Sequence, residues 1–304
     1  MNGLELSRLY FFETALPSLR ERFGAACDRM AAGLAGNGSE CFGFDDEISR
    51  DHDWGEDFFI WVTEPDRSML KELSQWKAEL FETSPPPHPK ARSQWGAYTE
   101  PSTVGDFYKS LTGCPGVPAT VAQWRAAPEE NLAMAVNGEV FMDGPEEFSA
   151  IRRGLLGHYP GDWRLKRLAA ACMAMAQTGQ YNLERCRRRG DVVAELAAVS
   201  RFQEAAIKAV FLLDKEFKPY YKWAWRKLCT LSPTGKEVGK LLERMALSRP
   251  DAVDLAEQIC SVIGDRLIAD GLSRPGDTFF THHALELMGR IKDEQLRRLP
   301  PQFE

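Results

Sequence analysis

The stretch GSECFGFDDEISRDHDWG, residues 38–55, with FFIWV following at 58–62, decides how the first half of the chain reads. A glycine at 38 lets the backbone approach a ligand closely. Ser39 beside it offers an N–H and a hydroxyl to phosphate oxygens, the chemistry of an anion-binding nest. Asp51 and Asp53, two apart on an extended segment, point to the same side and can share a hard cation. Mg²⁺ takes oxygen ligands and is usually held by one or two carboxylates together with substrate phosphates. Paired ions of this kind stabilise both the attacking and the leaving oxygen of an in-line displacement. His52, between the two aspartates, is expected to point away from them into packing. The competing reading is a solvated acidic loop, because residues 45–57 hold seven acids. A calcium loop is set aside, since Asp45-Asp46-Glu47 lacks the alternating ligands and glycine of an EF-hand.

Outward from that stretch, Phe58–Val62 is short, apolar and β-branched or aromatic, and reads as a buried strand. Before it, Leu4, Leu9, Phe12, Leu16, Leu19, Phe23, Cys27 and Met30 recur at helical spacing. They predict a helix over residues 4–34, kinked at Pro17 and broken by Gly33, Gly36 and Gly38. After it, the period predicts a helix over 67–82, and the four prolines of 84–89 an irregular loop. Short strands are expected at 95–100 and 138–143, with short helices at 103–113 and 118–126. Beyond residue 146 only amphipathic helices are expected, near 147–157, 161–179, 192–213, 219–231, 234–246, 250–270 and 280–296. Val192, Leu196, Val199, Phe202, Ala206, Val210 and Leu213 share one face of the fourth-listed segment's neighbour at 192–213. The fold class that follows is α/β in the α+β sense. A domain with a mixed sheet spans 1–145, and an all-helical domain spans 146–304.

The chain has 304 residues, a net charge of −6 and a hydrophobic fraction of 44%. That suffices for a real core, and the acidic balance argues against a general nucleic-acid partner, which needs a phosphate-neutralising surface. Seven scattered cysteines without a CxxC pair read as buried reduced thiols. With no signal-peptide pattern and no apolar run near the ~20 residues of a membrane span, the expected location is cytoplasmic, with no membrane partner.

The segment FGFDDEISRDHDWG resembles the bacterial DUF4037 family of the nucleotidyltransferase (DNA polymerase β-like) fold superfamily, related to the aminoglycoside nucleotidyltransferases. Two later segments are similar to the same family: NGEVFMDGPEEFSAIRRGLLGHYPGDWRLKRLA at 137–169 and VFLLDKEFKPYYKWAWRKL at 210–228. The resemblance implies a nucleotidyltransferase domain with a helical domain behind it. It implies that Gly38 and Ser39 hold the β- and γ-phosphates of a nucleoside triphosphate, and that Asp51 and Asp53 ligate Mg²⁺. Glu100, in WGAYTEPSTVGDF, stands where an acid can serve as third ligand or as the base for the acceptor. A surface acid is the plain alternative, and Asp143 before Gly144-Pro145 is its competitor. Lys222 would meet the triphosphate, as a helical-domain lysine does in the aminoglycoside enzymes. Its alternative is a stem lying over Trp223. The sequence departs from the superfamily pattern in having His52 between the aspartates and Trp54-Gly55-Glu56-Asp57 before the strand, which predicts a bulge.

Other features carry blander readings. Tyr220, Tyr221 and Trp225 are expected in packing rather than stacked on a base. Arg187-Arg188-Arg189 is expected as a solvated turn. His282 and His283, about 100° apart on a helix, do not share a metal. The functional expectation is transfer of a nucleoside monophosphate, AMP from ATP, to a small-molecule or protein acceptor, with pyrophosphate released. The alternative is a nucleotide-binding or protein-interaction module, a sensor or an antitoxin-like partner.

Overall fold

Met30–Leu34 is a strand, β1, where the helical period predicted helix. The computed structural model describes residues 1–51, 54–90, 99–274 and 278–304, the side chain of Asp51 excepted. The predicted helix divides into Gly3–Tyr10, a π-helical turn Phe11–Ala15, and Leu16–Phe23. Pro17 stands in the first turn of the last piece, just after the π-helical turn, where the run divides. Gly24, at φ 51, ends it. The next residues are small: a Cβ on Gly33 would collide with the Glu139 carbonyl. Two strands close in on β1 from both sides, and tertiary pairing overrides the local period.

The sheet runs β3-β2-β1-β4, with β2 at Phe59–Val62, β3 at Ser102–Thr103 and β4 at Glu139–Asp143. β1 pairs antiparallel with β2 and β4, and β2 pairs parallel with β3, so the sheet is mixed. A register shift between Ala32 and Gly33 marks a bulge against β4. Helices cover both faces, which explains the unbroken apolar run of β2. On one face the Trp61 ring stacks 4.0 Å from Phe148 and meets Phe107 at 5.1 Å. Phe107 comes from helix Val104–Thr112 and Phe148 from helix Glu147–Leu156. Across the sheet Phe58 meets Phe11 at 5.3 Å and Phe81 at 6.1 Å. The strand expected at 95–100 lies outside the described residues up to 98, and Thr99 and Glu100 are not in a strand. Helix Glu129–Val136 was not anticipated.

The chain divides into two compact units, Met1–Gly157 and His158–Glu304. Together they give the α+β class, with a helical C-terminal region. In the second unit, helix Gly161–Met175 packs on Val192–Asp214 and Phe280–Arg290, and Pro233–Leu247 on Ala252–Ala269. Val192 and Leu196 are exposed at the start of their helix, and Glu195 is buried there instead. Its carboxylate is held by Arg187 at 3.3 Å and by Arg249. Arg187 also caps the Pro250 carbonyl at 2.7 Å, so this arginine is architectural rather than part of a solvated turn. Arg188 pairs at the surface with Glu184. His283 is fully buried, with Nδ1 2.6 Å from the Ser273 hydroxyl.

His158 opens the second unit at φ 67, stacked 4.7 Å from Phe217. Neither ring nitrogen makes a well-formed hydrogen bond, though the Glu216 backbone lies near enough to favour the charged form slightly. Burial first, then the Arg164, Arg167 and Lys215 charges, push its pKa down to about 3. In the unfolded chain it titrates near the ordinary histidine value of about 6.5. The unfolded state therefore binds the extra proton as pH falls from about 6.5 towards 3. The expected result is a stability contribution fully present above about pH 6.5 and lost progressively down to about pH 3, about 5 kcal/mol in all. His158→Asn, which tolerates a left-handed backbone, removes that part of the pH slope in urea titrations. An unchanged slope in the variant would contradict the assignment.

Candidate functional site

The site is built on the turn after β1. Gly38 precedes a single 3₁₀ turn, Ser39–Phe42, closed by Gly43 in the left-handed region. The turn is held from behind by the residues that lead into β4. The Asn137 side chain brackets Gly36, accepting from its N–H at 2.9 Å and donating to its carbonyl at 2.7 Å. The Gly138 N–H donates to the Cys41 carbonyl at 2.9 Å. At φ 65, with the Leu34 backbone against its Cα, position 138 excludes any side chain. Ser39 is half-buried, and its hydroxyl makes no hydrogen bond among the described residues.

The acids around the turn are a solvated loop only in part: Asp46 and Glu47 are exposed, and Asp45, Glu56 and Asp57 have fixed partners. Asp45 accepts from the Gly3 N–H at 2.8 Å and from the Trp54 indole at 2.9 Å, pinning the first helix. Asp46 folds an Asx turn onto the N–H groups of Ile48 and Ser49, both at 3.1 Å. Glu56 is buried and accepts from the His88 N–H at 2.9 Å, with the His88 ring 3.1 Å from its other oxygen. Asp57 is buried at the mouth of β2 and forms an ion pair with Lys77 at 2.8 Å. Its second oxygen takes the Thr99 hydroxyl. Lys77 is itself buried and donates further to the carbonyls of Phe58 at 2.6 Å and Thr99 at 2.7 Å. Burial first, then the charges of Asp57 and Glu56, push the neighbouring Tyr10 phenol up to about 12.

These contacts close long loops on one another. Gly55 lies at φ 132 with the His88 carbonyl against its Cα, and Glu56 forms an isolated parallel bridge with Pro89. The proline-rich loop is thereby stapled to the segment that follows Asp53. Lys90, next in the chain, meets the fully buried Glu40 at 2.9 Å. A narrow crevice results, lined by Leu34, Asn37, Gly38, Phe59, Lys90 and Thr99.

Of the residues expected at the site, Gly38 lines this crevice, with Ser39 next to it in the chain. Glu100 is exposed and follows Thr99, which lines the same crevice. Asp51 ends a 3₁₀ turn, Ile48–Asp51, and so is not on the extended segment expected for it, and its side chain lies outside the description. Asp53 and His52 lie outside the described residues. Among the described residues no group of three or more His, Cys, Asp or Glu could hold a metal. Asp143 accepts from the Ser149 N–H at 2.7 Å, the turn-capping role. Lys222 is exposed on helix Tyr221–Leu228 in the second unit, its ammonium 4.8 Å from the Trp223 ring centre. Tyr220 and Tyr221 are exposed and pack on each other at 4.4 Å, not into a core. The Trp225 indole donates to the Gly239 carbonyl at 3.1 Å.

The sequence reading missed Glu40, Lys77, Lys90 and Asn137. Each acts through a partner far along the chain, and only Glu40 lies within the stretch that drew attention. The seven cysteines are free thiols, five of them buried. No helix among the described residues is long and apolar enough to cross a membrane.

Residues 124–224 match a family model described as Domain of unknown function (DUF4037). The DUF4037 match takes in the whole of the similar segment at 137–169 and the greater part of that at 210–228. The Gly38–Gly55 stretch lies before it. No curated protein and no solved structure matches the chain.

Proposed function

We propose that the Gly38–Ser39 turn, beside this crevice whose own space of about 10 Å³ holds no more than a water, binds a nucleoside triphosphate with Mg²⁺, and that the protein transfers its nucleoside monophosphate to an acceptor. One observation carries the reading. Gly38 and Thr99, 61 positions apart by numbering, line one crevice, which puts the Gly38–Ser39 turn and the Glu100 loop in the same place. The structural employment of Asp45, Asp46, Glu56 and Asp57 adds to it. Asp51 and Asp53 are the two acids of the stretch that the sequence pattern marks as ligands.

The donor set suits a hard cation. It offers the carboxylate oxygens of Asp51 and Asp53 and the hydroxyl of the half-buried Ser39. Asp51 and Asp53 would hold Mg²⁺, which supplies charge neutralisation on the phosphates. Gly38 lets the triphosphate lie against the backbone, and the Ser39 hydroxyl donates to it. The Asn137 bracket and the Gly138 contact keep that turn from rearranging, so its donors are aimed before the ligand arrives. Glu100 takes the proton of the acceptor hydroxyl. Held beside Thr99, it draws its position from the buried Asp57–Lys77–Thr99 cluster. Positioning and electrostatics then account for most of the rate.

Pyrophosphate release tests this, measured with each of the four common triphosphates against hydroxyl-bearing small molecules and proteins. Acceptor-dependent release, lost in Glu100→Gln, is the expected result. Tight triphosphate binding without release from any acceptor would favour the alternative, a nucleotide-binding module. Absence of both binding and release would overturn the proposal.

A further inference from the structure

Among the described residues of the first unit, Asp57 and Glu40 are buried carboxylates each paired with a lysine, and the two pairs differ in a way that bears on ligand binding. In the Asp57–Lys77 pair both carboxylate oxygens are engaged, one by Lys77 and the Phe58 N–H and the other by the Thr99 hydroxyl. The Lys77 ammonium also meets two backbone carbonyls. That is how a structural ion pair offsets its desolvation. In the Glu40–Lys90 pair a single bond of 2.9 Å joins the partners. Glu40 is fully buried, yet its second oxygen has no hydrogen-bond partner. That carboxylate is pressed against Gly38 so closely that a Cβ there would meet it at 2.5 Å. The Lys90 side chain is 12% exposed and lines the crevice shared with Asn37, Gly38 and Thr99.

We propose that Lys90 is the cation that receives the polyphosphate chain at the Gly38–Ser39 turn, with Glu40 holding its ammonium in place until the ligand binds. The inference rests on the nucleotide reading above and deepens it, by naming a phosphate-binding residue within the first unit. An ammonium has three donors, and Glu40 uses one. The two that remain would meet phosphate oxygens beside the crevice, whose own space of about 10 Å³ suits a water rather than a phosphate. Lys90 remains charged at neutral pH. Burial alone would lower its pKa, but Glu40, with Cys41 and Asp57, raises it on balance. The staple of Glu56 to His88 and Pro89 fixes the backbone one residue before Lys90, so the ammonium is delivered to a defined place. Glu40 thereby limits the affinity it helps to organise, because its negative charge opposes that of the ammonium the ligand would meet.

The test is titration calorimetry of the full chain with inorganic tripolyphosphate and, separately, with ATP and Mg²⁺. Glu40→Gln keeps the side-chain shape and frees the Lys90 charge. It is expected to bind tripolyphosphate several-fold more tightly than the wild type. The double variant E40Q/K90M is expected to bind it at least about 10-fold more weakly than E40Q. E40Q/K90Q, which replaces the ion pair with two amides, gives the same comparison if the methionine variant fails to fold, and circular dichroism reports folding. A lysine serving only to neutralise Glu40 would leave tripolyphosphate affinity equal in all folded variants, and that result would overturn the inference. So would a wild type that binds no tripolyphosphate. Tripolyphosphate binding that follows this pattern without any binding of ATP would uphold Lys90 and remove the nucleotide reading instead.

Discussion

Replacing Asp51 and Asp53 together with asparagine is expected to weaken ATP binding in the presence of Mg²⁺ by about 100-fold, or about 2.7 kcal/mol. Binding measured with a chelator present should change little. Asparagine keeps the size and one acceptor oxygen of each side chain but removes the charge that a hard cation requires. The thermal midpoint should stay close to that of the wild type, since the neighbouring acids keep their own partners. Asp45 still holds Gly3 and Trp54, Glu56 still holds His88, and Asp57 still holds Lys77. Affinity that is unchanged with Mg²⁺ would remove both aspartates from the metal site. A collapse of the fold would show that they belong to the scaffold.

Lys77→Met is expected to have the largest effect on stability, a loss of about 3–5 kcal/mol in urea unfolding. The substitution leaves Asp57 buried without its cation, and the carbonyls of Phe58 and Thr99 lose a donor. Asp57→Asn with Lys77→Met should cost clearly less than Lys77→Met alone, because removing both charges removes the uncompensated one. The same cluster fixes Thr99 and hence the backbone leading to Glu100. Residual folded Lys77→Met protein is therefore expected to lose acceptor-dependent turnover more than triphosphate affinity. Equal destabilisation by the single and double variants would mean that the pair acts by packing rather than by charge.

The fold was legible where burial imposed a pattern and obscure where pairing did. Phe58–Val62 and 138–143 read correctly as strands because an apolar run flanked by turn residues has few other uses. Met30–Leu34 continues a helical period by accident. Its strand state comes from β2 and β4 closing on small residues, which no local window contains. The amphipathic stripe at 192–213 was right about the helix and wrong about its first turns. There Glu195 is buried by arginines from two other places in the chain, a tertiary choice that hydrophobic periodicity cannot report.

The site was legible in outline. Gly38 and Ser39 stand out because glycine and a hydroxyl together have a specific chemistry, and the structure gives Gly38 a second reason in the Glu40 carboxylate packed against it. The acidic run misled in the opposite sense. Its carboxylates look solvated as a string, and Asp46 and Glu47 are, yet Glu56 and Asp57 are buried against His88 and Thr99, as Glu40 before the run is against Lys90. Lys90 gave no signal of its own, being an ordinary lysine after a proline loop until the Glu56 bridge to Pro89 fixes it beside the turn.

The most direct measurement is a calorimetric titration of the wild-type protein with ATP, with Mg²⁺ and again with a chelator. One site per chain, with affinity at least about 10-fold higher when Mg²⁺ is present, is the predicted result. No binding, or binding indifferent to the ion, would contradict a metal–triphosphate site at Gly38–Ser39.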